Sequence, residues 1–314
     1  MINIKEEKVA VIGSGLIGRA WAIVFARACL QVNIYDQSKS ALDDCLGLTK
    51  SLLEDAHKAG LMGESVSAIL ARIHPVNTLG EACSGVSLVQ ENIRETVEAK
   101  LEIFAQLDQV TPESAILASS TSWLPASLYT EKLQGRARCL VAHPTNPPYL
   151  IPLVEVSPAP WTSSGVVERA MAFYAAVQQE PVLVKKEIHG FLLNRVQGAV
   201  LNEMLNLFEE GYASSADLDK VMKYGLGLRW SFMGPFETID LNAPQGVTDY
   251  AARYGQTYAA VSKTQKNNSW DEQVIAEIEK ERRSILTQDQ IDERSRWRDN
   301  RLMSLRKHQQ EQPK

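Results

Sequence analysis

The chain has 314 residues, 45% of them apolar and 23% charged, long enough for a sizeable core and two domains. Its formal net charge of −5 argues against a nucleic-acid partner, and no apolar run approaches membrane-spanning length, so no membrane partner is expected either. Cys29, Cys45, Cys83 and Cys139 are scattered without a C-x-x-C pair, and Met1 to Lys8 holds no signal-peptide apolar region, so the reading is a cytoplasmic protein with reduced thiols.

Val9-Ala10-Val11-Ile12 is a short buried strand rich in β-branched residues. The run Gly13-Ser14-Gly15-Leu16-Ile17-Gly18 follows as G-x-G-x-x-G, and Arg19 to Ala28 reads as a helix. Strand, glycine turn and helix in that order make a dinucleotide site. Gly13 permits the tight turn, Gly15 lets the backbone approach a pyrophosphate, and Gly18 lets the helix lie close to the strand. The free amides at the helix start, at Leu16 and Ile17, then meet the phosphate charge. The alternative is a glycine turn without a ligand. Val32 to Tyr35 is a second strand and ends at Asp36, about 20 residues past the turn. A carboxylate there suits a ribose with both hydroxyls free and repels a 2′-phosphate. Gln37 and Ser38 follow with no arginine, so NAD is expected over NADP, with Lys39 as the one contrary feature.

Ser40 to Gly60 and Ser65 to Arg72 read as an inserted helical pair, a lid or a flank over this domain. Ile73 to Val76 is an edge strand, because Pro75 excludes a central one. Val86 to Val89 is a strand ending in Gln90-Glu91-Asn92, polar groups where a parallel sheet presents ligand contacts. Glu91, and Lys100 in the helix Val97 to Leu107, are candidates for cofactor-side contacts. Strands at Ala115 to Ala118 and Cys139 to Ala142 end in Ser119-Ser120-Thr121-Ser122-Trp123 and His143-Pro144-Thr145-Asn146-Pro147-Pro148. Leu153 to Val156, the helix Ser164 to Val177 and the strand Pro181 to Val184 complete a doubly wound α/β sheet.

Past Gly190 no strand appears. Helices are expected at Phe191 to Glu210, Leu218 to Tyr224, Asp240 to Val261, Asp271 to Arg283 and Ser295 to Gln309, with Gly225 to Trp230 a loop and the polar tail frayed. The expected division is 1–190, a NAD-binding domain, and 191–314, an all-α domain for substrate and dimer contacts.

Four polar residues stand out near strand ends and at the domain junction, a common place for a small-molecule cleft: Ser122, His143, Glu155 and Asn194. Oxidising an alcohol with NAD needs a base for the hydroxyl proton, and neutral imidazole suits that near pH 7. Glu155 can hold the other ring nitrogen. Ser122 can hydrogen-bond the reacting oxygen, and Asn194 can donate to the developing carbonyl. Each has a plain alternative: a strand-capping histidine, a glutamate in an unrelated ion pair, a turn serine, a helix-start asparagine. Asn146 either orients His143 or the substrate, or is a bend residue beside two prolines.

Together these residues and their spacings resemble the 3-hydroxyacyl-CoA dehydrogenase superfamily from residue 8 to about residue 240. The family's serine, histidine, acid and asparagine fall on Ser122, His143, Glu155 in Pro152-Leu153-Val154-Glu155-Val156, and Asn194 in Gly190-Phe191-Leu192-Leu193-Asn194-Arg195. Ile103 to Asp108, His143 to Tyr149 and Trp297-Arg298-Asp299 are similar to the λ-crystallin branch, which is similar to L-gulonate 3-dehydrogenase. The resemblance implies a Rossmann domain followed by an all-α domain, and NAD-dependent oxidation of a 3-hydroxy acid to the 3-keto acid in a cytosolic homodimer. In Gly227-Leu228-Arg229-Trp230-Ser231-Phe232-Met233-Gly234-Pro235 this chain departs from the acyl-CoA enzymes, whose corresponding stretch is short and lacks the arginine. Arg229 is therefore a candidate grip for a free carboxylate, a surface arginine being the alternative. The rival readings are a short-chain acyl-CoA enzyme acting on the CoA thioester, an L-carnitine dehydrogenase, and a non-catalytic crystallin-like structural protein.

Overall fold

The structure, a computed structural model, describes residues 7–268 and 270–312. Residues 1–6 of the stretch read for a signal peptide, and the last two of the polar tail, lie outside them. The chain divides into two compact units, Met1–Asn194 with Asn300–Lys314, and Arg195–Asp299.

The first unit is built on eight strands: β1 (Lys8–Ile12), β2 (Gln31–Tyr35), β3 (Ile73–Pro75), β4 (Leu88–Glu91), β5 (Ile116–Ser119), β6 (Cys139–Pro144), β7 (Leu153–Pro158) and β8 (Glu180–Leu183). They form one sheet in the order β3-β2-β1-β4-β5-β6-β7-β8, which puts the Pro75 strand at the edge. All neighbours from β3 to β6 are parallel. The chain then reverses, so that β7 is antiparallel to β6 and β8 is parallel to β7. The connection 145–152 is too short for the helical crossover that a parallel partner needs.

Alternation along β1 divides the core between two faces. Val9 and Val11 join one buried cluster with Trp21, Phe25 and Tyr174, and Ala10 and Ile12 join the other with Ile103, Phe104 and Tyr129. Helices cover both faces, which is why β1 is apolar at successive positions rather than alternating. Each fully buried Ile, Val or Phe contributes about 1.5–3 kcal/mol relative to exposure. The long helices of this unit are α1 (Leu16–Arg27), α2 (Lys39–Lys58), α3 (Val97–Val110) and α4 (Ser164–Ala176). α2 is a flank: Leu42, Cys45, Leu53 and Ala56 are buried in the first cluster. The sheet order turns back on itself between β1 and β4, the switch point where open α/β sheets bind ligands beyond their strand ends.

The second unit is helical. After α5 (Leu193–Glu209) come short turns, then α6 (Val247–Ser262), α7 (Glu272–Ile285) and the first part of α8 (Ile291–Glu311). Three expectations are corrected. The expected loop 225–230 is helical: a π-helical turn at Val221–Leu226 runs into an α-turn at Gly227–Trp230. A side chain at Gly227 would come within 2.8 Å of the Met222 carbonyl oxygen, so glycine permits the wide turn. The helix expected over 240–261 is two helices, Pro235–Leu241 and α6, broken at Gly246, whose φ is +75°. Finally, the helical unit does not run to residue 314, because residues from Asn300 onward group with the sheet. Met303 explains this, since it is 2% exposed and belongs to the first core cluster, with Leu302 packed against it. No helix among the described residues is long and apolar enough to cross a membrane.

Candidate active site

The turn after β1 is built as the glycine pattern requires. Gly13 has φ +96°, and a Cβ on it would lie 2.8 Å from the Asn92 carbonyl oxygen. A Cβ on Gly18 would collide with the Gly13 carbonyl, so the helix packs directly on the turn. Gly15 caps α1 without a side-chain hydrogen bond, and the space where its Cβ would point is open. Leu16 is exposed and Ile17 half-buried, and their amides open the first turn of α1.

At the end of β2, Asp36 Oδ2 accepts from the Ser14 amide at 2.7 Å and the Ser14 hydroxyl at 3.0 Å, and Oδ1 accepts from the Ser38 amide at 2.8 Å. A carboxylate offers about four acceptor positions, so these bonds fix its orientation and leave capacity for ribose hydroxyls. Lys39 is paired with Asp43 at 3.0 Å, turned to its own helix. A glycine cradle, an uncapped helix start and an oriented acid fit NAD.

Glu91 and Lys100 are placed differently from the expectation. Lys100 Nζ lies 2.7 Å from Glu91 Oε1 and 2.8 Å from Oε2, and Ser119 donates to Oε2 at 2.6 Å. Their side chains are 0% and 1% exposed, so they form a buried ion pair joining β4, α3 and β5. A strand buried on both faces hides its polar residues as readily as its apolar ones.

The candidate reacting groups sit at the ends of β5, β6 and β7 and the start of α5. His143 and Glu155 are direct partners across the antiparallel β6–β7 pair, so their side chains share a face. Nδ1 of His143 lies 2.9 Å from Glu155 Oε2. The other carboxylate oxygen, Oε1, accepts from the Leu192 amide at 2.7 Å and the Leu193 amide at 2.9 Å. Burial pushes the Glu155 carboxyl up, but the His143 bond and the Leu193 and Leu192 amides outweigh it and hold it below the ordinary carboxylate value. An ionised carboxylate only accepts, so Nδ1 carries the hydrogen, and in the neutral ring Nε2 is then the acceptor. His143 is 6% exposed, with the Phe191 ring centroid 5.6 Å from its own.

Asn194, half-buried, donates from Nδ2 to the Ser122 carbonyl oxygen at 2.8 Å, so the structure brings this pair together. Ser122 is held as well by a residue that the sequence reading missed. Glu95 Oε1 accepts from the Thr121 hydroxyl and from the amides of Ser122 and Trp123, the last at 2.8 Å. The signal was available: Glu95 lies in the loop after β4, and Ser122 in the loop after β5, the next strand. The Trp123 ring lies against Gly190, where a Cβ would be 3.1 Å from it. Asn146 is exposed on the loop leaving β6, and it is Glu155, not Asn146, that holds the imidazole. Arg229 belongs to the second unit and is exposed there.

Fold and cradle define the class: an NAD-dependent oxidoreductase. The chain belongs to the 3-hydroxyacyl-CoA dehydrogenase family, whose NAD binding domain matches residues 8–188 and whose C-terminal domain matches residues 190–284. Lambda-crystallin of Oryctolagus cuniculus is 39% identical over 307 residues, covering 95% of each chain. The L-carnitine dehydrogenase of Oceanobacillus iheyensis is 34% identical over 236 residues, 75% of this chain and 76% of its own. Among solved structures, an NAD+-dependent 5-formyl-3-hydroxy-2-methylpyridine 4-carboxylic acid 5-dehydrogenase shares the fold with TM-score 0.84 at 24% identity, covering 98% of this chain and all of its own.

Proposed function

We propose that this protein oxidises a free 3-hydroxy acid of the L-gulonate kind to the 3-keto acid, with His143 as general base. The carrying observation is the His143–Glu155 pair, an imidazole held through Nδ1 with Nε2 left as acceptor. Nε2 takes the hydroxyl proton of the substrate. Glu155, ionised and fixed by two backbone amides, stabilises the imidazolium that forms. The Ser122 hydroxyl and the second Nδ2 hydrogen of Asn194 hold the reacting oxygen. NAD, which the Gly13–Gly18 turn and Asp36 would hold, would supply the acceptor for the hydride of the carbon bearing that oxygen.

The free acid is favoured over a CoA thioester by similarity to lambda-crystallin over 95% of both chains and by Arg229, whose planar fork suits a carboxylate. L-Carnitine is the second reading, supported by the 34% identity with an L-carnitine dehydrogenase. We assign the protein to the cytoplasm as a homodimer: its cysteines are free thiols, and the helical unit exposes Phe232, Phe236 and Leu228.

The test is NADH formation from L-gulonate, L-carnitine, 3-hydroxybutyrate and 3-hydroxybutyryl-CoA, each with NAD and NADP. The highest kcat/KM is expected for L-gulonate with NAD; a preference for the thioester overturns the substrate assignment. Arg229→Ala is expected to raise KM for free acids alone. An unchanged KM for every free acid removes Arg229 from the account.

A further inference from the structure

Gln90 is 0% exposed in β4, in the middle of the sheet, where an unpaired carboxamide is costly. It is fully paired. Oε1 accepts from the Tyr174 hydroxyl at 2.5 Å, and Nε2 donates to Ser120 Oγ at 2.7 Å and to the Ala142 carbonyl oxygen at 3.2 Å. A carbonyl oxygen can only accept, so the amide orientation is forced by chemistry. Ser120 Oγ accepts in addition from Trp21 Nε1 at 3.0 Å and donates to Asn92 Oδ1 at 2.7 Å. Every hydrogen on the Gln90 amide and the Ser120 hydroxyl is therefore used.

The partners matter by position. Ala142 immediately precedes His143. Ser120 is two residues before Ser122. Asn92 carries the carbonyl that closes over Gly13, and Trp21 lies on α1. β5 lies between β4 and β6, so Gln90 reaches across it and ties the serine loop to the histidine strand from beneath. Glu155 bonds the imidazole itself, whereas Gln90 bonds the backbone just before it and the side chain of the serine loop.

We infer that Gln90 is a positioning residue for the dehydrogenase reaction, fixing the spacing of His143 and Ser122 through its two amide hydrogens. The inference rests on the proposed role of His143. Misplacement by an ångström loses catalysis without losing binding, so Gln90→Leu is expected to lower kcat about 10–100-fold. KM for NAD and for the hydroxy acid is expected to stay within about threefold, since the groups that bind are unchanged. Gln90→Glu, protonated in this buried site, has one hydrogen to donate where two are needed, and its kcat is expected to lie in between. Tyr174→Phe leaves both amide donors in place and is expected to lose least.

A second readout does not depend on turnover. The imidazole 15N resonances of His143 are expected to shift in Gln90→Leu and to stay in place in Ile34→Val, a core change in β2, four strands along the sheet from β6. A folded Gln90→Leu enzyme with wild-type kcat, or a loss in KM alone, or unmoved His143 resonances, overturns the inference. If Gln90→Leu does not fold, Gln90→Glu and Ser120→Ala decide: wild-type kcat and unmoved resonances in both overturn it. Absence of turnover in the wild-type enzyme with a shifted His143 signal refutes the proposed substrate and leaves the positioning role standing.

Discussion

The two compact units bury their apolar residues very differently. In the sheet unit Trp21, Phe25, Phe104, Tyr129 and Tyr174 are all within 1% of full burial. In the helical unit Tyr212, Tyr224, Leu228, Phe232, Phe236 and Leu241 are each more than 60% exposed. The candidate catalytic groups follow the same division. Ser122, His143, Glu155 and Asn194 all belong to the first unit, and the links His143–Glu155 and Asn194–Ser122 are made inside it. The lesson is that the candidate groups are held by the buried sheet and its loops. The helical unit leaves these large apolar side chains and Arg229 exposed.

Replacing the base should produce the largest effect. His143→Asn keeps a polar side chain and removes the proton acceptor, so kcat is expected to fall about 10²–10⁴-fold in steady-state NADH formation. A fall below tenfold would move the chemistry out of the sheet unit. Next is the cofactor acid: Asp36→Ser removes the negative charge at the ribose, and the preference for NAD over NADP is expected to shrink about tenfold or more, measured as the ratio of kcat/KM values.

Glu155 gives a pH test. Its folded carboxyl is held below the ordinary value, so the stability it adds is full above the unfolded value of about 4.3 and is lost as pH falls through the lower folded value. Melting temperatures of wild type and Glu155→Gln should therefore differ near neutral pH and converge in acid. Parallel curves would mean that the carboxylate is not held this way. For the helical unit, Phe232→Ser with Phe236→Ser is expected to give a monomer by light scattering with unchanged helical circular dichroism. A retained dimer would place the partner surface elsewhere. The smallest expected effect concerns Cys139, whose thiol burial pushes up to about 12. Its alkylation in the native protein should be slower than that of half-buried Cys29.

Much of the sheet unit was legible because its signals are local. The glycine run and Asp36 lie on consecutive elements, and His143 and Glu155 are twelve apart on strands joined by a short connection. The misread positions depend on contacts that sequence order hides. Gln90 and Glu91 end a strand, and only the packing on both faces turns them inward, away from a ligand. Lys100 followed Glu91 into the interior as its counter-charge. The π-helical turn before Gly227 arises from a close backbone approach, and two glycines around Leu226 look the same in a loop. Met303 and Leu302 are a short apolar step in a charged helix, too small a signal to assign that helix end to the sheet.

The central claim is that the His143 imidazole is held through Nδ1 so that Nε2 faces the chemistry with a lone pair. The 15N spectrum of the imidazole near neutral pH tests this directly. The account predicts the Nδ1–H tautomer in the wild-type protein and its loss in Glu155→Gln; an Nε2–H tautomer, or a spectrum indifferent to Glu155, would contradict it.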